Sequence, residues 1–482
     1  MTLGGGLYDD CSNEQLGVSS WSGDVSTEKA QPRKKNLFLQ RLHDDETKDS
    51  DSNGEIGAFQ DEDIIENLEK TVEFWTDYSK VHYHPHSFYE LCGLWMDPLE
   101  FDHYGIGSNV YSEGQRGEEM NDKLRFFVEE CDHIQGFQFF VGNSGGFSSI
   151  AADFLEQIAD DYPNTPILLY NVMDPASQMG TRTRNQSTSR KIQDAVSFSR
   201  LSSFSDMIVP VGLPLLSRSK ASSFLQMRDE SNYHCSAVYA AAFHSVSLPF
   251  RMEQLGSSTC VSGATDMNLL VQRLTAQARQ NGVVVLDLAF PPPTIPEKQD
   301  ERQFLDCLGS LTPEINDADD VRAIESVTVH GALMRGGAKA SVEDVIEAVN
   351  DEYEKSAAKP KLWYVTAACC PLAVPLPFPR MFGGQVGKNG QILSGDGGGA
   401  VKGSLEVHSV PLATRLRSSK AVLPFLERRL ADLRRFGTGR GAPGSELLRS
   451  WGYGKDDALQ LEDMLCKLVS TLDDRADVSS DS

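Results

Sequence analysis

The run Phe137-Gln138-Phe139-Phe140-Val141-Gly142-Asn143-Ser144-Gly145-Gly146-Phe147-Ser148-Ser149-Ile150 decides the fold. Phe137–Val141 is short, mostly apolar and aromatic, which suits a buried strand. Gly142–Gly146 interrupts it. Phe147, Ile150, Ala151, Phe154 and Ile158 then recur at helical spacing, and Asp153, Glu156, Gln157 and Asp160 take the other face. Pro163 stops this helix and Ile167–Val172 reads as the next strand. Strand, tight turn, helix and strand make a βαβ unit, whose crossover predicts a parallel sheet with helices on its faces.

Upstream, Leu124, Phe127, Val128 and Cys131 mark a helix with one apolar face. Ile65, Leu68, Val72 and Trp75 mark another, so order is expected to begin near Asp61. Residues 1–60 are polar, with Asp44, Asp45, Glu46, Asp49 and Asp51 close together, and read as a flexible acidic segment. Downstream, residues 176–194 are rich in Ser, Thr and Arg and read as an exposed loop, and Ser217–Asn232 is a second polar stretch. Cys235, Val238, Tyr239, Ala242 and Val246 predict a helix of mostly small residues, packed closely on both sides. Leu269–Ala278 is helical in pattern, and Val283–Leu288 is a strand ended by Pro291-Pro292-Pro293. A second α/β block then runs to about Pro411, with strands at Ser326–Leu333 and Leu362–Ala367. Arg380–Gly399 is Gly-rich and expected to be loop. Two amphipathic helices close the chain, one marked by Leu423, Leu426, Leu430 and Leu433, the other by Leu461, Met464, Leu465, Leu468 and Leu472.

The 482 residues are too many for one ordinary domain. Lys and Arg number 45 against 69 Asp and Glu, a formal charge of −24, which disfavours nucleic acid and anionic membrane as general partners. The nine cysteines include one adjacent pair, Cys369 and Cys370, and no Cys-x-x-Cys. Structural zinc therefore has no support, and reduced thiols in a cytosol-type compartment are expected. The first residues lack the basic and apolar regions of a signal peptide. No stretch approaches the roughly 20 apolar residues of a membrane span, so any membrane association is expected to be peripheral.

A turn between strand and helix aims backbone N–H groups outward, where the helix dipole adds partial positive charge. Gly142, Asn143, Ser144, Gly145, Gly146 and Ser148 are therefore the candidate anion-binding residues. No Lys follows the glycines, so this is not a Walker A loop. The plainer reading is a tight turn with Ser144 as helix cap. The same residues spell Gly142-x-Ser144-x-Gly146, a nucleophile elbow between strand and helix, but no downstream acid and His can be singled out as partners. His82, His84 and His86 alternate around Pro85, an arrangement that suits a metal or an ordinary loop. Arg428, Arg429, Arg434, Arg435 and Arg440 form a basic patch that suits either an acidic partner or internal ion pairs.

Asp132-His133-Ile134-Gln135-Gly136-Phe137-Gln138 resembles the Cys-Asp-x-Leu-Gln-Gly-Phe-Gln segment that leads into the phosphate loop of tubulins, and Asp160-Asp161-Tyr162-Pro163 resembles their Glu-Glu-Tyr-Pro. The closer resemblance is to the Misato family of tubulin-like proteins. It rests on Phe127–Asp132 joined to Gln135–Gln138, on Gly145-Gly146-Phe147-Ser148, and on Trp75-Thr76-Asp77-Tyr78 before Val81-His82-Tyr83-His84-Pro85. His234-Cys235-Ser236-Ala237 before Leu248-Pro249-Phe250-Arg251 adds to it, and the likeness covers roughly residues 60–475.

The resemblance implies a tubulin/FtsZ-like α/β fold: a parallel sheet with helices on both faces, a central helix, a second α/β domain and C-terminal helices. The expected domains are a flexible segment 1–60, a nucleotide-domain-like unit 61–232, a central helix and second α/β domain 233–415, a helical hairpin 416–472 and a tail 473–482. It implies control of mitochondrial distribution, morphology and inheritance, at the mitochondrial outer surface and in the cytoplasm, with tubulin or chaperonin as partners.

Two departures bear on chemistry. Ser144-Gly145-Gly146-Phe147-Ser148-Ser149-Ile150 stands where tubulins carry Gly-Gly-Gly-Thr-Gly-Ser-Gly, so bulky Phe147 and Ile150 replace small residues. Gly4-Gly5-Gly6-Leu7-Tyr8 resembles a point inside the family's first domain, so the first strand is expected to be missing, as in a shortened product. The stretch matching the tubulin hydrolysis loop, Gly263–Asn268, offers only Asp266. The expectation is a non-enzymatic protein with a vestigial phosphate loop and no cofactor. The alternative is a guanine-nucleotide-binding relative of tubulin with weak or no hydrolysis.

Overall fold

The computed structural model describes residues 2–3, 34–47, 60–80, 83–91, 101, 103–173, 184–252, 261–275, 281–292, 294–295, 304–334, 337–393 and 399–472. The Gly4–Tyr8 stretch, Asp49 and Asp51 of the acidic N-terminal cluster, Val81, His82, residues 176–183 and the tail 473–482 lie outside them. The chain forms two compact units, Met1–Pro98 and Leu99–Ser482.

In the first unit a short parallel pair joins β1 (Thr2–Leu3) to β2 (Glu90–Leu91). Helices α1 (Leu37–Thr47) and α2 (Asp61–Thr71) pack together, burying Phe38, Ile64, Ile65 and Leu68. Asp61, Glu62 and Asp63 open α2, where the helix dipole favours negative charge. Helix α1 corrects the expectation that residues before Asp61 stay unstructured. Asn36 caps it, accepting from Leu39 N at 2.9 Å, and Leu37 N donates to Asn67 Oδ1 at 3.2 Å. The acidic cluster beginning at Asp44 hid this apolar Leu37–Leu39 start.

The second unit begins with α3 (Tyr104–Ser112) and α4 (Arg116–Glu129). The βαβ unit follows as β3 (Phe137–Gly142), α5 (Gly146–Asp161) and β4 (Ile167–Val172). Helix α6 (Arg184–Ser203) leads to β5 (Met207–Val211), and the strands pair in parallel in the order β3-β4-β5. Strands β4 and β5 are buried on both faces, hence their unbroken apolar runs. Helix α6 corrects the loop expected over 176–194. Its first half is polar, and its apolar positions begin only at Ile192, Ala195 and Val196, all fully buried. Packing against α5, not local propensity, holds it.

The central helix α7 (Asn232–Arg251) lies between two sheets. Val238, Ala242 and Val246 join one core with Leu168, Tyr170 and Val209 on one side and Leu286, Leu288 and Leu416 on the other. Small residues allow this double-sided approach, as the sequence predicted. The chain continues through β6 (Val261–Ser262), α8 (Met267–Thr275), β7 (Val285–Ala289), β8 (Gly309–Ser310), β9 (Ile324–His330), α9 (Val342–Lys355) and β10 (Leu362–Ala368). Then come the short pair β11 (Leu372–Ala373) and β12 (Ser409–Val410), followed by β13 (Leu412–Ser418). The second sheet has the order β6-β10-β9-β13-β7-β8, with β9 and β10 parallel. Parallel bridging of Ile208 to Val283 links it to the first sheet. Helices α10 (Leu423–Leu433), α11 (Ser445–Ser450) and α12 (Lys455–Leu472) close the unit, burying Leu426, Leu433, Leu461 and Leu465 beside Ile192 and Val196 of α6.

This is a tubulin-like α/β fold. Strand β13 and helix α9 are among the elements that escaped the reading of the sequence. Strand β13 sits between β9 and β7, but Arg415 and Arg417 disguise it. Helix α9 is signalled by its capping box, Ser341 with Asp344, and by Val342, Val345, Ile346 and Val349 at helical spacing.

Candidate functional site

Strand β3 ends where Asn143 N donates to Val172 O at 3.0 Å. Gly145 then adopts φ +83°, a left-handed conformation that favours glycine, and caps α5. Gly146 is needed for a different reason. A Cβ there would lie 2.6 Å from the Phe101 ring, and one on Gly107 would lie 2.0 Å from Gly146 O. The glycines therefore serve the turn and the close approach of α3 to α5.

Three of the groups a phosphate would use are engaged by the protein itself. Gly145 N donates to Gln193 Oε1 at 3.2 Å. Asn143 Nδ2 donates to Asp194 Oδ1 at 3.1 Å, and Ser148 shares a buried hydrogen bond with Ser197. Asp194 also sets a carboxylate beside the positive end of α5, where it opposes an incoming anion. Phe147 packs on Phe101 with ring centroids 4.8 Å apart, and Ile150 is fully buried. Of the six candidate residues, Gly142 is exposed, Ser144 half-buried, and Asn143, Gly145, Gly146 and Ser148 buried.

Gln193, Asp194 and Ser197 were missed because they lie in or next to the stretch read as loop. The signal that would have found them is Ile192, Ala195, Val196 and Ser199 at i, i+3, i+4 and i+7. Among the described residues no His or carboxylate hydrogen-bonds to Ser144, so the elbow reading gains no partner. Asp266, the one acid of the hydrolysis-loop stretch, accepts from Leu269 N at 2.6 Å and caps α8.

Of the three alternating histidines, His84 uses Nδ1 to accept from His86 N at 3.2 Å, a local cap. Three arginines of the basic patch, Arg428, Arg429 and Arg434, form ion pairs within the protein. Arg429 is buried, pairs with Glu314 and stacks 3.6 Å over the Phe425 ring. Arg428 reaches Glu314 at 2.7 Å and Arg434 reaches Glu462 at 2.7 Å.

A second polar constellation lies in the other sheet. Asp287 on β7, 1% exposed, holds Arg415 at 2.8 Å and Arg417 at 2.9 Å, and Arg415 also reaches Glu325 at 3.3 Å. Burial pushes the Asp287 carboxyl up, but Arg417 and Arg415 outweigh it and hold the group below the usual carboxylate range. These residues, with Glu352 and Tyr353 of α9, line an open polar cavity of about 260 Å³. The two arginines are each paired with carboxylates, which explains how they stand in a central strand.

Residues 66–252 match the tubulin domain family. The chain is similar to misato homolog 1 of Bos taurus, 26% identical over 95% of this chain and 82% of the relative. It is also similar to misato homolog 1 of Mus musculus, 29% identical over 64% of this chain and 54% of the relative. Protein DML1 of Gibberella zeae is 29% identical over 43% of this chain. In the mouse and fungal cases the chain spans only about half the length of the relative, 54% and 41%.

Fold and turn thus define a tubulin-domain protein in which the strand–turn–helix is kept and the Gly145 amide is engaged by Gln193. Within that class the similarities support the misato family.

Proposed function

We propose that this chain is a non-enzymatic, tubulin-like organiser of mitochondrial distribution, morphology and inheritance. In this reading it acts in the cytoplasm and peripherally at the mitochondrial outer surface, through protein partners of the tubulin or chaperonin kind. The family supplies the cellular role. The observation that carries the non-enzymatic part is the Gly145–Gln193 hydrogen bond, with Asp194 and Ser197 filling the rest of the turn. Positioning a water for phosphoryl transfer also needs a correctly placed polar group, and Asp266 is committed to capping α8. No helix among the described residues is long and apolar enough to cross a membrane, which suits peripheral attachment.

The second reading, a guanine-nucleotide-binding protein with weak or no hydrolysis that acts in cytoskeletal assembly, is favoured by the retained left-handed Gly145 at the start of a 16-residue helix. Calorimetric titration with GTP separates the two. No heat of binding is expected; tight binding that Gly146→Asp abolishes defeats the non-nucleotide reading. For the cellular role, deletion should collapse or cluster mitochondria, and a normal network would count against it.

A further inference from the structure

Cys369 and Cys370 follow β10 directly. Ala368, the last residue of that strand, pairs with His330, and Gly331 N donates to Ala368 O at 2.8 Å. Two residues beyond Cys370, Leu372 begins β11 and pairs with Val410. Pro371 packs on Gly331, whose φ of +59° and missing side chain allow the approach: a Cβ there would lie 2.4 Å from Pro371 N. The dithiol is therefore held from both sides. Cys369 is half-buried, packed against the core that contains Val327 and Val329, while Cys370 is exposed.

The two Sγ atoms stand 3.7 Å apart. A disulfide needs about 2.05 Å, and the short loop between neighbouring cysteines resists that closure. Two thiolates on one ion, with metal–sulfur bonds of about 2.3 Å, span roughly 3.8 Å in tetrahedral and 4.0 Å in trigonal geometry. The observed separation matches a chelating bite, on a backbone held by the flanking strand pairs. Among the described residues no group of three His, Cys, Asp or Glu side chains is placed to hold a metal. The pair therefore suits an ion content with few protein donors. Structural zinc takes four, whereas soft thiolates select monovalent copper, which two or three sulfurs satisfy.

We propose that Cys369 and Cys370 form an open two-sulfur site for a soft monovalent cation of the Cu(I) class, completed by an external thiolate. On binding, both thiols release their protons to solvent and two sulfur–metal bonds form, with no change of oxidation state. Exposure of Cys370 gives the ion its approach, and the open third position lets a small thiol deliver or remove it.

The test is competition under anaerobic conditions between the full chain and bicinchoninate, a coloured Cu(I) chelator. The wild type should withdraw one equivalent of copper more than Cys370→Ser or Cys369→Ser/Cys370→Ser. Cys370→Ser changes an exposed thiol, so its circular dichroism should match the wild type even if the double variant loses core packing. Equal copper uptake by the wild type and Cys370→Ser overturns the site, whether the remaining thiols hold the metal or nothing does.

Discussion

The amide of Gly145 donates to Oε1 of Gln193, 3.2 Å away, so the turn that faces phosphate in a nucleotide-binding tubulin fold faces a side chain of α6 here. Gln193→Ala removes that acceptor and leaves a buried N–H. The expected loss of stability is about 1–3 kcal/mol, read from urea unfolding. The variant should still show no heat with GTP, because Asp194 keeps its carboxylate beside the helix start. GTP binding by Gln193→Ala would mean that one side chain alone closes a working site.

The glycines of this region differ in what they do, and substitution separates them. Gly107→Ala places a Cβ 2.0 Å from Gly146 O, a backbone atom that cannot swing aside. Helices α3 and α5 must move apart, at a cost of about 3 kcal/mol or more. Gly142→Ala is the control: an added Cβ there meets nothing within 4 Å, and a change within about 0.5 kcal/mol is expected. Paired denaturant melts check both.

The same contrast shows what the sequence could and could not disclose. The β3–turn–α5–β4 unit was legible because its periods are undisturbed: an apolar run, a glycine break, an apolar face at helical spacing, a proline stop. Ile167–Val172 appears as expected, whereas Phe137–Val141 gains Gly142 and is less buried than expected, with Phe140 53% exposed. Helix α6 was illegible in its first half because long-range packing at Ile192 and beyond holds it, not local pattern. Strand β13 was illegible because its arginines look solvent-facing until Asp287 and Glu325, distant in sequence, arrive beside them. For the turn, sequence could name Gly145 and Gly146, but the residues that fill their surroundings come from α6 and could not be seen.

Internal pairing of the basic patch predicts unequal arginines. Arg429 is buried beside Glu314 and over Phe425, so Arg429→Ala removes a buried ion pair and opens the packing. A loss of about 3 kcal/mol is expected in urea unfolding. Arg428 pairs with the same Glu314 from a side chain 58% exposed, and Arg428→Ala should cost no more than about 1 kcal/mol. Equal, small effects would return Arg429 to the solvated face of a docking surface.

Glu352 of α9 gives the protein a pH signature. Its carboxylate accepts from Phe304 N at 2.9 Å and Leu305 N at 2.7 Å, tying that segment to the helix. Burial pushes the carboxyl from 4.5 up to about 7; the backbone donors pull the other way and Asp306 adds to the rise. The folded state thus holds this proton more tightly than the unfolded chain. Between about pH 4.5 and 7 unfolding releases it, so stability falls as pH rises through that window and levels off above. The full effect is on the order of 3 kcal/mol. Asp287 acts in the opposite sense and lower down: its folded value is depressed, so its contribution is present above the ordinary carboxylate range and lost on acidification below it. Glu352→Gln keeps an acceptor for one backbone N–H and cannot ionise. Urea midpoints of the wild type should fall relative to Glu352→Gln between pH 5 and 7.5, whereas parallel curves would mean that the carboxylate stays ionised in its pocket, with the two amides outweighing burial.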